Sequence, residues 1–258
     1  MRSDRNHRVQ VLEGWFHRDE IARMCGDPDT PTDILVELVD GRPWMRPYQG
    51  TRPDLLASNP SVPADSLVKL IGGAHTARVV TNPSFRVRMA MDPHFVDSLD
   101  VEARAHICGC EYTEERLIRY LAASRGRSVR VRVYAARNTQ TPQDMLRDYA
   151  RHDWRVRAAL ALNPRMPKEA QATLARDKKR IVRINLAQRH DLLEETVEML
   201  VSECPEVVDS ALILNPTIPD DVRWRILDAL GFGDSRLSKR QRSQLIKRNR
   251  KRYGRREL

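Results

Sequence analysis

The chain is poor in aromatic side chains, which make up 5% of its residues, and holds four cysteines in 258 positions. So few rings exclude a core built on large side chains. They leave small Ala, Leu and Val contacts between thin helices, within a hydrophobic fraction of 41%. The cysteines lie far apart except Cys108 and Cys110, which gives no disulfide framework. His106-Ile-Cys108-Gly-Cys110 has the outline of half a metal site, yet no second cluster supplies the remaining ligands of a thiolate site. No metal or cofactor is expected. No apolar run approaches the ~20 residues of a membrane span, and nothing at the N-terminus resembles a secretory signal. The expectation is a cytoplasmic protein without membrane insertion, bacterial in its style of composition.

Catalytic signatures are missing too. There is no phosphate-cradling Gly loop, nucleophile elbow, His-Glu-x-x-His helix or Cys-x-x-Cys pair. Glu194-Glu195 and Asp220-Asp221 stand at expected helix starts, where carboxylates complement the helix dipole. No catalytic residue is assigned, and the chain reads as a non-enzyme.

What the sequence does have is one phrase, repeated. Ala161-Leu-Asn163-Pro164-Arg-Met-Pro167 returns as Ala57-Ser-Asn59-Pro60-Ser-Val-Pro63 and as Ile213-Leu-Asn215-Pro216-Thr-Ile-Pro219. Weaker copies are Ala136-Arg-Asn138-Thr-Gln-Thr-Pro142 and Cys25-Gly-Asp27-Pro28-Asp-Thr-Pro31. Anchors at Asn138, Asn163, Arg189 and Asn215 lie 25, 26 and 26 residues apart. A fixed period means an array of one small unit. Asn or Asp closes a turn through a local backbone hydrogen bond, and the following Pro cannot continue a helix. The second Pro suits the first position of a new helix. Apolar residues then recur at eight, eleven and twelve past the anchor, as in Leu67, Leu70 and Ile71, or Leu146, Tyr149 and Ala150. That is the stripe of a short amphipathic helix.

An acid follows this helix, Asp153, Asp177 and Glu203 in successive units, placed to cap a second short helix. Arg132, Arg157 and Arg183 each stand six residues before an anchor. They read either as structural ion pairs with those acids or as a basic stripe lining a groove. One unit is therefore helix, turn, helix, Asn-Pro turn, and only stacking on neighbours buries both its faces.

Along the chain, residues 1–24 read as an N-terminal helical cap and 25–230 as the repeat array. An insertion over 41–55 carries Trp44 and Tyr48, which either fold onto the adjacent helices or meet a ligand. Between Asn82 and Gly109 two anchors compete, Asn82-Pro83 and Asp92-Pro93. The reading adopted makes Phe85–Met91 a second-position helix and truncates the unit after Asp92. Residues 231–258 form a basic tail. From 235 onward it has eleven Lys/Arg and one acid, leaving 34 basic and 34 acidic residues in the body. All the formal net charge of +10 therefore sits in that tail. Its Lys239, Arg240, Arg242, Lys247, Arg248, Arg250, Lys251, Arg252, Arg255 and Arg256 are candidates for neutralising nucleic-acid phosphates. An acidic protein partner is the alternative.

The unit x-Ala-x-Asn-Pro-x-x-Pro-x-x-x-Leu-x-x-Leu-Ala-x-Asp followed by Val-Arg resembles the variant leucine-rich repeat family, grading into HEAT-like repeats. Residues 57–71, 136–163, 161–187 and 213–230 carry it best. The resemblance implies an all-α fold, a right-handed α-solenoid of helix–turn–helix repeats of about 25 residues. The family's founding type holds an iron–sulfur cluster on a cysteine-rich N-terminal segment. Here Cys25 stands alone in the first hundred residues, so no cluster carries over. The implied function is a non-catalytic binding scaffold.

Overall fold

The structure is a computed structural model that describes residues 18–40, 51–92, 94–123, 128–203 and 211–229. Residues 1–17 of the expected cap over 1–24, Trp44 and Tyr48 of the insertion, and the basic tail lie outside the described residues. Every regular element among the described residues is helical. The chain divides into two compact units, residues 1–141 and 142–258.

The first unit contains α1 (Arg18–Gly26), α2 (Thr32–Asp40), α3 (Pro53–Ser58), α4 (Ala64–Leu67), α5 (Thr76–Thr81), α6 (Pro83–Met91), α7 (Val101–Gly109), α8 (Glu115–Ala123) and α9 (Val129–Arg137). Short 3₁₀ turns cover Val68–Leu70, Gly73–His75 and Phe95–Ser98. The second contains α10 (Gln143–Tyr149), α11 (Trp154–Ala161), α12 (Ala170–Ala175), α13 (Arg180–Ala187), α14 (Glu194–Glu203) and α15 (Asp220–Ala229).

Helices that precede an anchor contact one another, α1 with α3, α3 with α5, α5 with α7 and α7 with α9. Those that follow an anchor do likewise, α2 with α4 and α4 with α6. In the second unit α11 meets α13 and α12 meets α14. The core lies between the two rows. Three residues before the anchor stands a fully buried apolar side chain, as in Leu56, Val79, Ile107, Leu160 and Leu186. Two before it stands a small one, as in Cys25, Ala57, Cys108, Ala136, Ala161 and Ala187. Small residues there let the next helix approach at backbone distance. Cys25 and Cys108 are thus packing residues in the place of alanine. Burial pushes the Cys108 thiol up to about 12, and it raises that of Cys25 as well.

The repeat turns follow the sequence reading with one shift. Pro63 and Pro142 occupy the N-cap, not the first helical position, with extended ψ of 145° and 149°. Their carbonyls accept the first helical bonds, from Ser66 and Leu67 N–H and from Leu146 N–H. Proline is equally cheap there, because the N-cap N–H makes no helical bond. Asp153 caps α11 as expected, accepting from Arg155 N–H at 2.9 Å. Asp177 stands too early to cap α13, whose N-cap is Lys179; it accepts from Lys179 N–H at 2.8 Å and closes the turn before that helix. The side chain of Glu203 lies outside the described residues.

The register between Asn82 and Gly109 differs from the one expected. Pro83–Met91 (α6) packs on α4, so it is the helix after an anchor rather than before one. Asn82 is its N-cap, accepting from Ser84 N–H at 2.9 Å. The second helix of that repeat is α7, and Cys110 takes the next anchor position. Asp92 closes only a local turn, accepting from His94 N–H at 3.0 Å. Two Asx-Pro pairs look alike in one dimension. The amide of Asn can donate toward a neighbouring repeat, whereas the carboxylate of Asp cannot.

Candidate functional site

The anchors do more than close turns. The Asn59 amide donates to the carbonyls of Cys25 and Asp27, at 3.1 and 3.0 Å. Asn82 donates to Ala57 and Asn59, both at 3.0 Å. Asn138 donates to Cys108 and Cys110, at 2.9 and 2.8 Å. Asn215 donates to Ala187 and Arg189, at 2.8 and 2.5 Å. In every case the acceptors are the previous anchor and the residue two before it. The same side chain's oxygen accepts from the N–H two residues on. Each anchor amide therefore stitches its own turn to the turn before.

Arg189 replaces asparagine and keeps the rung: its Nη1 donates to Ala161 and Asn163 O, at 3.0 and 2.5 Å. Asp191 takes its remaining donors, at 2.7 and 2.8 Å, and that contact holds the Asp191 carboxyl below the usual carboxylate range. At Asn215 the carbonyl accepts from Arg223 of the same repeat, at 2.9 Å. Threonine three past the anchor adds a cap missed in the sequence: Thr30, Thr113 and Thr141 donate to Met24, Ile107 and Ala135 O, at 2.9, 2.5 and 2.6 Å.

The stripe arginines belong to this internal accounting. Arg157 forms a fork with Asp177, Nε–Oδ2 2.5 Å and Nη2–Oδ1 3.0 Å, and donates to His152 O. The Asp177 side chain is 3% exposed, and its hydrogen bonds hold the Arg157 guanidinium yet more firmly protonated. Arg183 donates to the Asp177 carbonyl. The structure thus brings Arg157, Asp177 and Arg183 together, and both arginines are turned to intramolecular acceptors. Arg132 is half-buried on α9. The ten tail residues from Lys239 to Arg256 lie outside the described residues. The metal-like motif has other employment: His106 meets Glu102 at 3.2 Å and stacks edge-on against Tyr134, and the carbonyls of Cys108 and Cys110 receive Asn138.

One cleft, of about 870 Å³, opens where the ladder is interrupted. Cys110 stands in an anchor position with a thiol in place of an amide, and α6 and α8 stand apart on either side. Val80, Phe85, Met89, Ala90 and Leu117 give the cleft apolar walls. Tyr112, Tyr120, His94, Glu114 and three arginines, Arg86, Arg116 and Arg119, complete the lining. Ala90 stands eight past its anchor, a position buried elsewhere as Leu35, Leu67, Ile118 and Leu146, yet here it is exposed. At the end near His94, Tyr120 Oη donates to Asp97 at 2.5 Å and lies 2.8 Å from His94 Nδ1. That hydrogen bond to the carboxylate raises the tyrosine's pKa and lowers that of Asp97. Sequence reading missed this site. Its only trace was the competing register.

No protein-family model, curated protein or solved structure matches the chain. Among the described residues no helix is long and apolar enough to cross a membrane, and no three metal-binding side chains cluster.

Proposed function

We propose that this protein is a non-catalytic repeat scaffold of the variant leucine-rich, HEAT-like solenoid kind, contacting nucleic acid through the basic segment 235–258. One observation carries the reading: the charge is segregated. The body holds equal numbers of basic and acidic residues, while the last twenty-four carry the whole excess of +10. Of Arg132, Arg157 and Arg183, which a groove reading would enlist, Arg157 and Arg183 donate to carbonyl and carboxylate oxygens within the protein. Polyanion attraction therefore falls to the tail. Such contact is sequence-independent and driven by counterion release.

The test compares full-length protein with a form ending at Asp234, by fluorescence anisotropy on duplex DNA and RNA over a salt series. Full-length protein binds, with a log–log salt slope near −0.9 per phosphate neutralised on duplex DNA. Truncation removes most of the affinity and the slope while the far-ultraviolet spectrum stays helical. Unchanged affinity and slope after truncation overturn the assignment. A second reading, a protein-binding scaffold, is favoured by the apolar cleft between α6 and α8.

A further inference from the structure

We propose that the cleft between α6 and α8 docks a short segment of a partner protein that combines apolar side chains with carboxylates. Tyr112 lines the cleft and is 54% exposed, among the most exposed large hydrophobic side chains of the described residues. Beside it Met89, Ala90 and Leu117 turn apolar surface into the same space, and Ala90 too is exposed. Exposed apolar surface lining a concave site points to an interaction rather than scatter. The volume suits several side chains, since clefts of ~300–1,000 Å³ hold drug-sized groups.

Charge selects the occupant. Arg86 and Arg116 line the cleft, both are exposed, and neither has an ion-pair partner among the described residues. Most arginines around them are matched: Arg88 meets Asp92 at 3.3 Å and Arg119 meets Glu115 at 3.0 Å. Against these cations the lining offers one carboxylate, Glu114. Two unmatched guanidinium groups flanking an apolar floor fit carboxylates at the edges of an amphipathic peptide. The chain's own basic tail would be repelled. A second copy docked symmetrically would set these arginines against one another. Nucleic acid is the poorer fit: of the four rings in the lining, Phe85 is buried and Tyr120 and His94 are held by each other and by Asp97, which leaves Tyr112 as the platform for stacking a base. This inference stands apart from the tail reading, since none of its residues lies in the tail.

The test is a selection of random dodecapeptides displayed on phage against the full-length protein. Synthetic copies of the winners are then measured by anisotropy at physiological salt. Winners should carry apolar residues together with Asp or Glu. Arg86→Glu combined with Arg116→Glu, both surface changes, should weaken them at least tenfold and leave the helical spectrum intact. Leu117→Glu, in the floor, should do the same. Replacing the peptide's apolar residues by alanine should abolish binding, an effect that attraction to the basic tail would not produce. No enrichment, winners without carboxylates, indifference to the arginine reversal, or displacement from the cleft by oligothymidylate would each overturn the proposal.

Discussion

Replacing Asn82 by aspartate probes the ladder at a single atom. The change is isosteric and keeps the side-chain oxygen that accepts from Ser84 N–H and caps α6. It deletes the two donors that reach Ala57 and Asn59 O, and sets a carboxylate against those oxygens at a site 2% exposed. Two buried hydrogen bonds at ~1 kcal/mol each, plus the cost of the facing oxygens, amount to roughly 3 kcal/mol. For a chain of this size that lowers the melting temperature by ~6–12 °C. Because the carboxylate is disfavoured in the fold, the introduced group's folded pKa lies above its unfolded value. The folded variant then binds more protons than the unfolded one, so its deficit relative to wild type is full at neutral pH and shrinks on acidification. Asn82→Ala loses the same donors and the cap with no titrating group, so its deficit should be flat with pH. Asp27→Asn, at an exposed turn where aspartate already accepts from Asp29 N–H, should lie within ~0.5 kcal/mol of wild type. Urea unfolding followed by circular dichroism between neutral pH and mild acid measures all three. An Asn82→Asp variant as stable as wild type, or one whose deficit ignores pH, refutes the inter-repeat role of the amide.

Asp177→Asn retains the acceptor for Lys179 N–H but strips Arg157 of its charged partner, and should cost ~2 kcal/mol without weakening nucleic-acid binding. A loss of affinity at unchanged stability would return Arg157 to the binding surface. In native protein carrying Cys204→Ser, Cys110 should react with a thiol reagent, while Cys25 and Cys108 react only after denaturation, as burial and raised thiol pKa require. Three thiols titrating natively would contradict that packing. Gly109→Ala should destabilise by ~1–2 kcal/mol despite alanine's better helix propensity, because its methyl would lie 2.6 Å from the Tyr134 ring. A gain in melting temperature would show that α9 yields there.

The period, the helical class and the two-helix unit were legible in the sequence, because they depend on local chemistry. An Asx-Pro turn, a proline that begins a helix and an apolar stripe are properties of contiguous residues. The acid cap at Asp153 was legible for the same reason. Partners across repeats were not. Nothing local distinguishes Asn82, whose amide crosses to Ala57 and Asn59, from Asp92, which closes its own turn. Nothing in the composition shows that Arg189 does an asparagine's work, or that Gln171 is fully buried and bridges Asp191 O and Leu193 N–H. The arginine series shows the same divide. Its spacing was plain, but only the fold set the Asp177 carboxylate beside Arg157 and the Asp177 carbonyl beside Arg183. The cleft is the extreme case. It lies in the repeat where a thiol stands at Cys110 in place of an amide, and where α6 begins directly at Pro83 with Ala90 outside the core. A gap between helices is set by the register of one repeat against the next, which depends on donors reaching some twenty-five residues back along the chain. Local pattern determines the unit; the tertiary structure decides where the stack parts.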